Sequence, residues 1–257
     1  GALSAMDFMT TLYYRFLNAD PKDPQKEDRD RFILSKGHAA VGYAPLLCDY
    51  GFMDIEGLKN FNLTGSQFGM HLDCNKIKGV DASSGSLGHG MSLAAGMALA
   101  GRVRGIDYMT YVLTGDGELN EGSNWEAAMT IAQFKITNTV VVVDANKCMI
   151  DGRVDDEMKV EPIDKKFEAF GFKTVRVDGQ NIREINGALE QAVENHYSGG
   201  EQPFCIVLDT YKGAGIDFME DDYHWHYGAL NDERYKACLA SLDKYYETRV
   251  ARVEKEA

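Results

Sequence analysis

Between Tyr108 and Val143 the chain reads as strand, break, helix and strand in close succession. Tyr108 to Leu113 is apolar, Gly115-Asp116-Gly117 interrupts it, and Trp125 to Phe134 carries helical spacing. Thr139 to Val143 is then a continuous β-branched strand ending at Asp144. Two strands joined through a helix run parallel, and the crossover between them is right-handed. A run as uniformly apolar as Val140 to Val143 belongs in a sheet covered on both faces. The pattern returns downstream, with Lys173 to Val177 as strand, Ile182 to Glu194 as helix and Phe204 to Leu208 as strand. The expected fold is a single α/β domain over residues 1–257: a doubly wound, mostly parallel sheet flanked by helices, with a C-terminal helical tail.

Upstream, apolar residues recur at helical spacing from Ala2 to Phe16 and stop near Asn18-Ala19-Asp20-Pro21. A charged linker leads to the short apolar run Phe32-Ile33-Leu34, closed by Ser35-Lys36-Gly37-His38, and Ala39 to Tyr50 reads as helix. Phe61 to Ala82, rich in Gly, Asn and Asp, reads as loop. Met91 to Arg102 is a helix of small residues to which no chemistry is assigned. The last helix starts at Asn231-Asp232 and runs into a charged ending that reads as a natural terminus. Gly1 opens inside a helical pattern, so the true start is expected upstream. Hydrophobic residues make up 44% of the chain and only five are proline, which suits a buried core and argues against long disorder.

Lys and Arg number 27 against 40 Asp and Glu, a net charge of −13. That balance argues against nucleic acid or a membrane as the main partner. The five cysteines are scattered and form no CxxC pair, the usage of a reduced, cytoplasmic protein; no membrane span or signal peptide is read. A chain this acidic needs local cations or a metal to hold a phosphate. Ligands of open parallel sheets bind beyond the carboxyl ends of the strands. Asp116 follows one strand and Asn146, thirty residues on, follows the next, so both emerge on one edge, where Asp116 is expected to be exposed. A carboxylate and an amide oxygen form a hard site, suited to Mg2+ or Ca2+ and unsuited to zinc. The flanking glycines let backbone N–H groups face phosphate oxygens. Singly, Gly-Asp-Gly is a common turn and an Asn after a strand a common cap. The pair, with a βαβ unit between, points to a metal-phosphate site.

Gly115-Asp116-Gly117 followed by Asn146 resembles the thiamine-diphosphate fingerprint. The run from Gly115 to Gly122, then Trp125-Glu126-Ala127, Asp144-Ala145-Asn146 and Asp151-Gly152, is similar to transketolases in particular. The likeness extends to Asp30 through Ala39 and Ser83 through Gly90, and so covers nearly the whole chain. It implies the thiamine-diphosphate-binding fold and transfer of a two-carbon ketol unit from a ketose, a phosphate or related acidic sugar, to an aldose. Carried over by position, it implies Asp116, Asn146 and the backbone carbonyl of Cys148 as metal ligands and the Gly117 N–H on the diphosphate. Gly85 and Leu87 would contact the aminopyrimidine through their backbone, and Ile150 would pack on the thiazolium. His38 and His226 would line the diphosphate and substrate channel, with His71 facing the substrate's reacting oxygens. Glu121 and Glu126 would lie at a subunit interface, in a carboxylate network linking two cofactor sites. The plainer readings are a loop histidine for His38 and a solvated helix start for the two glutamates. Two positions depart from the family: His89 replaces its usual Gln, and Tyr227 follows His226 where relatives have Gly. His89 and His224 receive no role.

In transketolases the Glu that activates the pyrimidine ring lies in a second domain, as do arginines that grip a sugar phosphate. The resemblance therefore implies a separate C-terminal, pyrimidine-domain chain, an α2β2 heterotetramer, and a chain that is inactive alone. Competing readings are another thiamine-dependent carboligase or a 2-oxo acid dehydrogenase subunit, a non-catalytic scaffold or regulator, and a dinucleotide-binding module. Glu118-Leu119-Asn120-Glu121-Gly122 and Ser35-Lys36-Gly37-His38 favour transketolase over the first two enzymes. Intact Asp116, Asn146, His38 and His71 speak against the scaffold, and the missing GxGxxG against the dinucleotide module.

Overall fold

The computed structural model describes residues 1–256. Among them, five strands form one sheet: β1 (Arg31–Leu34), β2 (Thr110–Gly115), β3 (Thr139–Ala145), β4 (Lys173–Asp178) and β5 (Phe204–Asp209). Their order is β1-β2-β3-β5-β4, and every pairing is parallel. The helices are α1 (Met6–Thr11), α2 (Ala40–Tyr50), α3 (Gly90–Arg104), α4 (Gly122–Gln133), α5 (Val154–Glu157), α6 (Ile163–Phe170), α7 (Ile182–Tyr197) and α8 (Asp232–Glu256).

Side chains alternate across the pleat and so divide into two cores. Tyr111, Leu113, Val140, Val142, Phe204 and Ile206 face α1, α2 and α7. Val112, Val141, Val143, Cys205 and Val207 face α3, α4 and α6. Every residue of β3 is buried, which is why its sequence shows no alternation. The sheet is doubly wound, as its sequence predicts. No helix among the described residues is long and apolar enough to cross a membrane.

Two details differ from the sequence expectation. The strand expected from Tyr108 starts at Thr110, because β1 begins opposite it at Arg31 and Asp30 accepts the Met109 N–H at 2.8 Å just before. Helix α6 was not expected; it carries the chain from β3 past the place of β5 to the edge strand β4, and α7 returns it. The loop expected over 61–82 holds no strand or helix, and Phe68, Leu72, Ile77 and Val80 are buried beneath it.

Candidate active site

The carboxyl ends of β2 and β3 lie side by side, with Gly115 opposite Asp144. This register brings Asp116 and Asn146 together. Asp116 Oδ1 accepts the Gly117 N–H at 2.8 Å and Oδ2 accepts the Lys147 N–H at 2.6 Å. Asn146 Nδ2 donates to Asp144 Oδ2 at 3.2 Å and to Ser4 Oγ at 3.3 Å, while its Oδ1 accepts the Cys148 N–H at 3.1 Å. The amide is thereby held in one orientation. Asp116, however, is buried, only 3% exposed, and not the open edge carboxylate expected from its position. The chain after β3 folds back over it through the Lys147 amide. Burial, with Asp144 next in effect, pushes its carboxyl up to about 7.

Asp144 is fully buried and acts as a hub. Its oxygens accept from Ser4 Oγ at 2.6 Å, from Thr210 Oγ1, from Asn146 and from the Lys36 ammonium. Burial alone would raise its pKa, but the Lys36 charge and these hydrogen bonds outweigh it and hold the carboxyl below its ordinary value. Lys212 is buried as well, with Nζ 3.0 Å from His226 Nδ1. If the ammonium donates there, the ring proton sits on Nε2. Burial, followed by the Lys212 charge, pulls His226 down to about 3. His38 is lowered too, by burial and then by His71.

These groups enclose a cleft of about 170 Å³. Of the residues singled out in the sequence, Asp116, Gly117, Asn146 and Cys148 form its floor, and Leu87, Ile150, His38 and His226 line it. Ile150 is 49% exposed, an apolar side chain open to a ligand ring. His71 and Gly85 are at the margin. The His71 ring is 4.7 Å from that of His38, and a Cβ on Gly85, whose φ is +140°, would stand 2.7 Å from it. Glu121 and Glu126 are exposed on the surface outside the cleft. His89 is exposed, and His224 pairs with Asp222 at 2.7 Å.

Sequence reasoning overlooked Lys36, Asp144 and Lys212. Lys36 and Asp144 stand inside the motifs that carry the family resemblance, and Lys212 follows a strand end, which was the available signal. Together the two lysines supply the local cations that an acidic chain needs to hold a diphosphate. A buried carboxylate beside a second one, an oriented amide oxygen and a nearby carbonyl suit a divalent cation with oxygen ligands. The residues present therefore fit thiamine diphosphate and its metal.

The family described as "Transketolase, thiamine diphosphate binding domain" matches residues 1–245. The chain belongs to the transketolase family. This is a family of thiamine-diphosphate-dependent transferases. One of the two subunits named for the apulose-4-phosphate transketolase of Actinobacillus succinogenes is 39% identical over 240 residues, covering 93% of this chain and 85% of the relative. The 6-deoxy-6-sulfo-D-fructose transketolase subunit SqwG of Clostridium sp. is 37% identical, covering 95% and 87%. The crystal structure of transketolase from Campylobacter jejuni superposes with a TM-score of 0.83 at 31% identity, over 94% of this chain and 38% of that one. The chain thus spans nearly all of two subunit-type relatives and about two-fifths of this solved transketolase.

Proposed function

We propose that this chain is the diphosphate-holding subunit of a two-chain transketolase, moving a two-carbon ketol unit from an acidic ketose to an aldose. The observation that carries it is the meeting of Asp116 and Asn146 with Lys36, Lys212, His38 and His226 in one cleft at the strand ends. Asp116, Asn146 and the Cys148 carbonyl would hold Mg2+ or Ca2+, and Gly117 and the lysines would take the diphosphate oxygens. Gly85 and Leu87 would receive the pyrimidine and Ile150 the thiazolium. When bound, thiamine diphosphate supplies the carbon nucleophile that breaks and remakes the bond beside a ketose carbonyl. His38 and His226, kept neutral at neutral pH, can accept or return protons at substrate oxygens, with His71 beside them. Glu121 and Glu126 would face another subunit.

The relatives named as subunits support a separate pyrimidine-domain partner and an α2β2 assembly. Both relatives carry anionic sugars in their names, which favours a ketose with an acidic end. The five free cysteines favour a reducing, cytoplasmic setting. Calorimetric titration of thiamine diphosphate into the complex, with Mg2+ and with chelator, tests the site. Asp116→Asn should weaken Mg2+-dependent binding about a hundredfold, or ~3 kcal/mol. Unchanged affinity would remove Asp116 from the ligand set.

A further inference from the structure

Three stretches that build the cleft come from different parts of the chain: the turn after β1, the Gly85–Gly90 loop and the turn after β2. One buried side chain, that of Glu118, meets all three. Its Oε1 accepts from Ser35 Oγ and from the Gly88 N–H at 3.0 Å, and its Oε2 accepts the Gly115 N–H at 3.1 Å. Ser35 Oγ in turn accepts the Gly90 N–H at 3.1 Å, and Ser123 Oγ donates to the Gly88 carbonyl at 2.8 Å. A Cβ on Gly88 would lie 2.6 Å from the Glu121 Cβ, so the loop is drawn tightly against this turn.

We propose that Glu118 is a positioning residue for the cofactor, fixing the spacing of Leu87, Gly117 and His38 before thiamine diphosphate arrives. The proposal rests on the roles given above to those three residues. Three donors converge on Glu118, and they need an acceptor at both ends of one side chain. Alanine would leave the donors unpaired. Glutamine would turn an N–H2 toward either the Gly115 N–H or the Ser35–Gly88 pair, so it can satisfy one end only. A site assembled in advance spares the cofactor the cost of ordering two loops and a turn.

The test uses Glu118→Ala and Glu118→Gln, checked for native circular dichroism. In the cofactor-free chain, the Gly88 and Gly115 amides of Glu118→Ala should exchange with solvent at least tenfold faster than in the parent. In the complex with its partner chain, KM for thiamine diphosphate should rise at least tenfold, more than kcat falls, with Glu118→Gln between alanine and parent. Unchanged amide protection, or a cofactor KM within threefold of the parent in folded Glu118→Ala, overturns the proposal. Should Glu118→Ala not fold, Ser35→Ala decides. It should expose the Gly90 amide and raise the cofactor KM at least threefold, and parental values for both overturn the proposal. The exchange measurement needs no cofactor, so a parent that failed to bind thiamine diphosphate would refute the proposed function while leaving this coupling to be judged separately.

Discussion

His226 shows how this cleft sets the charge of its own residues. Half-buried beside Lys212, it is held near 3 against an ordinary value of about 6.5. A group whose pKa is depressed on folding contributes its stability fully above the unfolded value and loses it as pH falls through the folded one. The window is therefore about pH 6.5 down to 3. His226→Gln should lose less of its Tm between pH 7 and pH 4 than the parent does; equal losses would mean that another group carries the acid sensitivity. His38 and His71 belong to the chemistry more than to the fold, being partly or largely exposed. Alanine at either should cut turnover about a hundredfold and change stability by less than about 1 kcal/mol. Normal donor cleavage by both variants would end that assignment. The residues legible in the sequence were those whose spacing carries the message, Asp116 and Asn146 above all. The sequence does not show the burial of Asp116 or the weight of Lys36 and Lys212. A lysine or aspartate in isolation reads as solvated, and only the folded chain shows which ones are enclosed with a partner.

The elements were most legible where burial is uniform or strictly periodic. The β-branched run of β3 could hardly be anything but a central strand, and α7 shows its apolar face plainly at Ile185, Ala188, Leu189 and Ala192. Helix α6 escaped notice because it is short and carries charged residues between its few anchors. Ile163 and Phe167 are nonetheless completely buried. Phe167 packs edge-on against Phe172 at 5.2 Å and tilted against Trp125 at 5.4 Å, tying α6 to α4 and to the start of β4. Phe167→Ala should therefore cost about 3–5 kcal/mol in chemical denaturation. A loss under about 1 kcal/mol would show that α6 is not part of the cooperative core.

At the scale of the molecule, an acidic protein concentrates its scarce buried cations where a phosphate must sit. The opposing placement of helices on the two faces of the sheet leaves the strand ends open for that purpose. The cleft gathers groups for the diphosphate and the metal, and the relatives spanned nearly whole by this chain are named as subunits. Catalysis is therefore expected to need a second, pyrimidine-domain chain. Ketol transfer from an acidic ketose donor to an aldose, with thiamine diphosphate and Mg2+ in excess, reads this out. The purified chain alone should show no turnover above background, and adding the pyrimidine-domain chain should restore it in a two-plus-two complex. Sustained turnover by this chain alone, with mass spectrometry finding no second polypeptide, would overturn the two-chain reading.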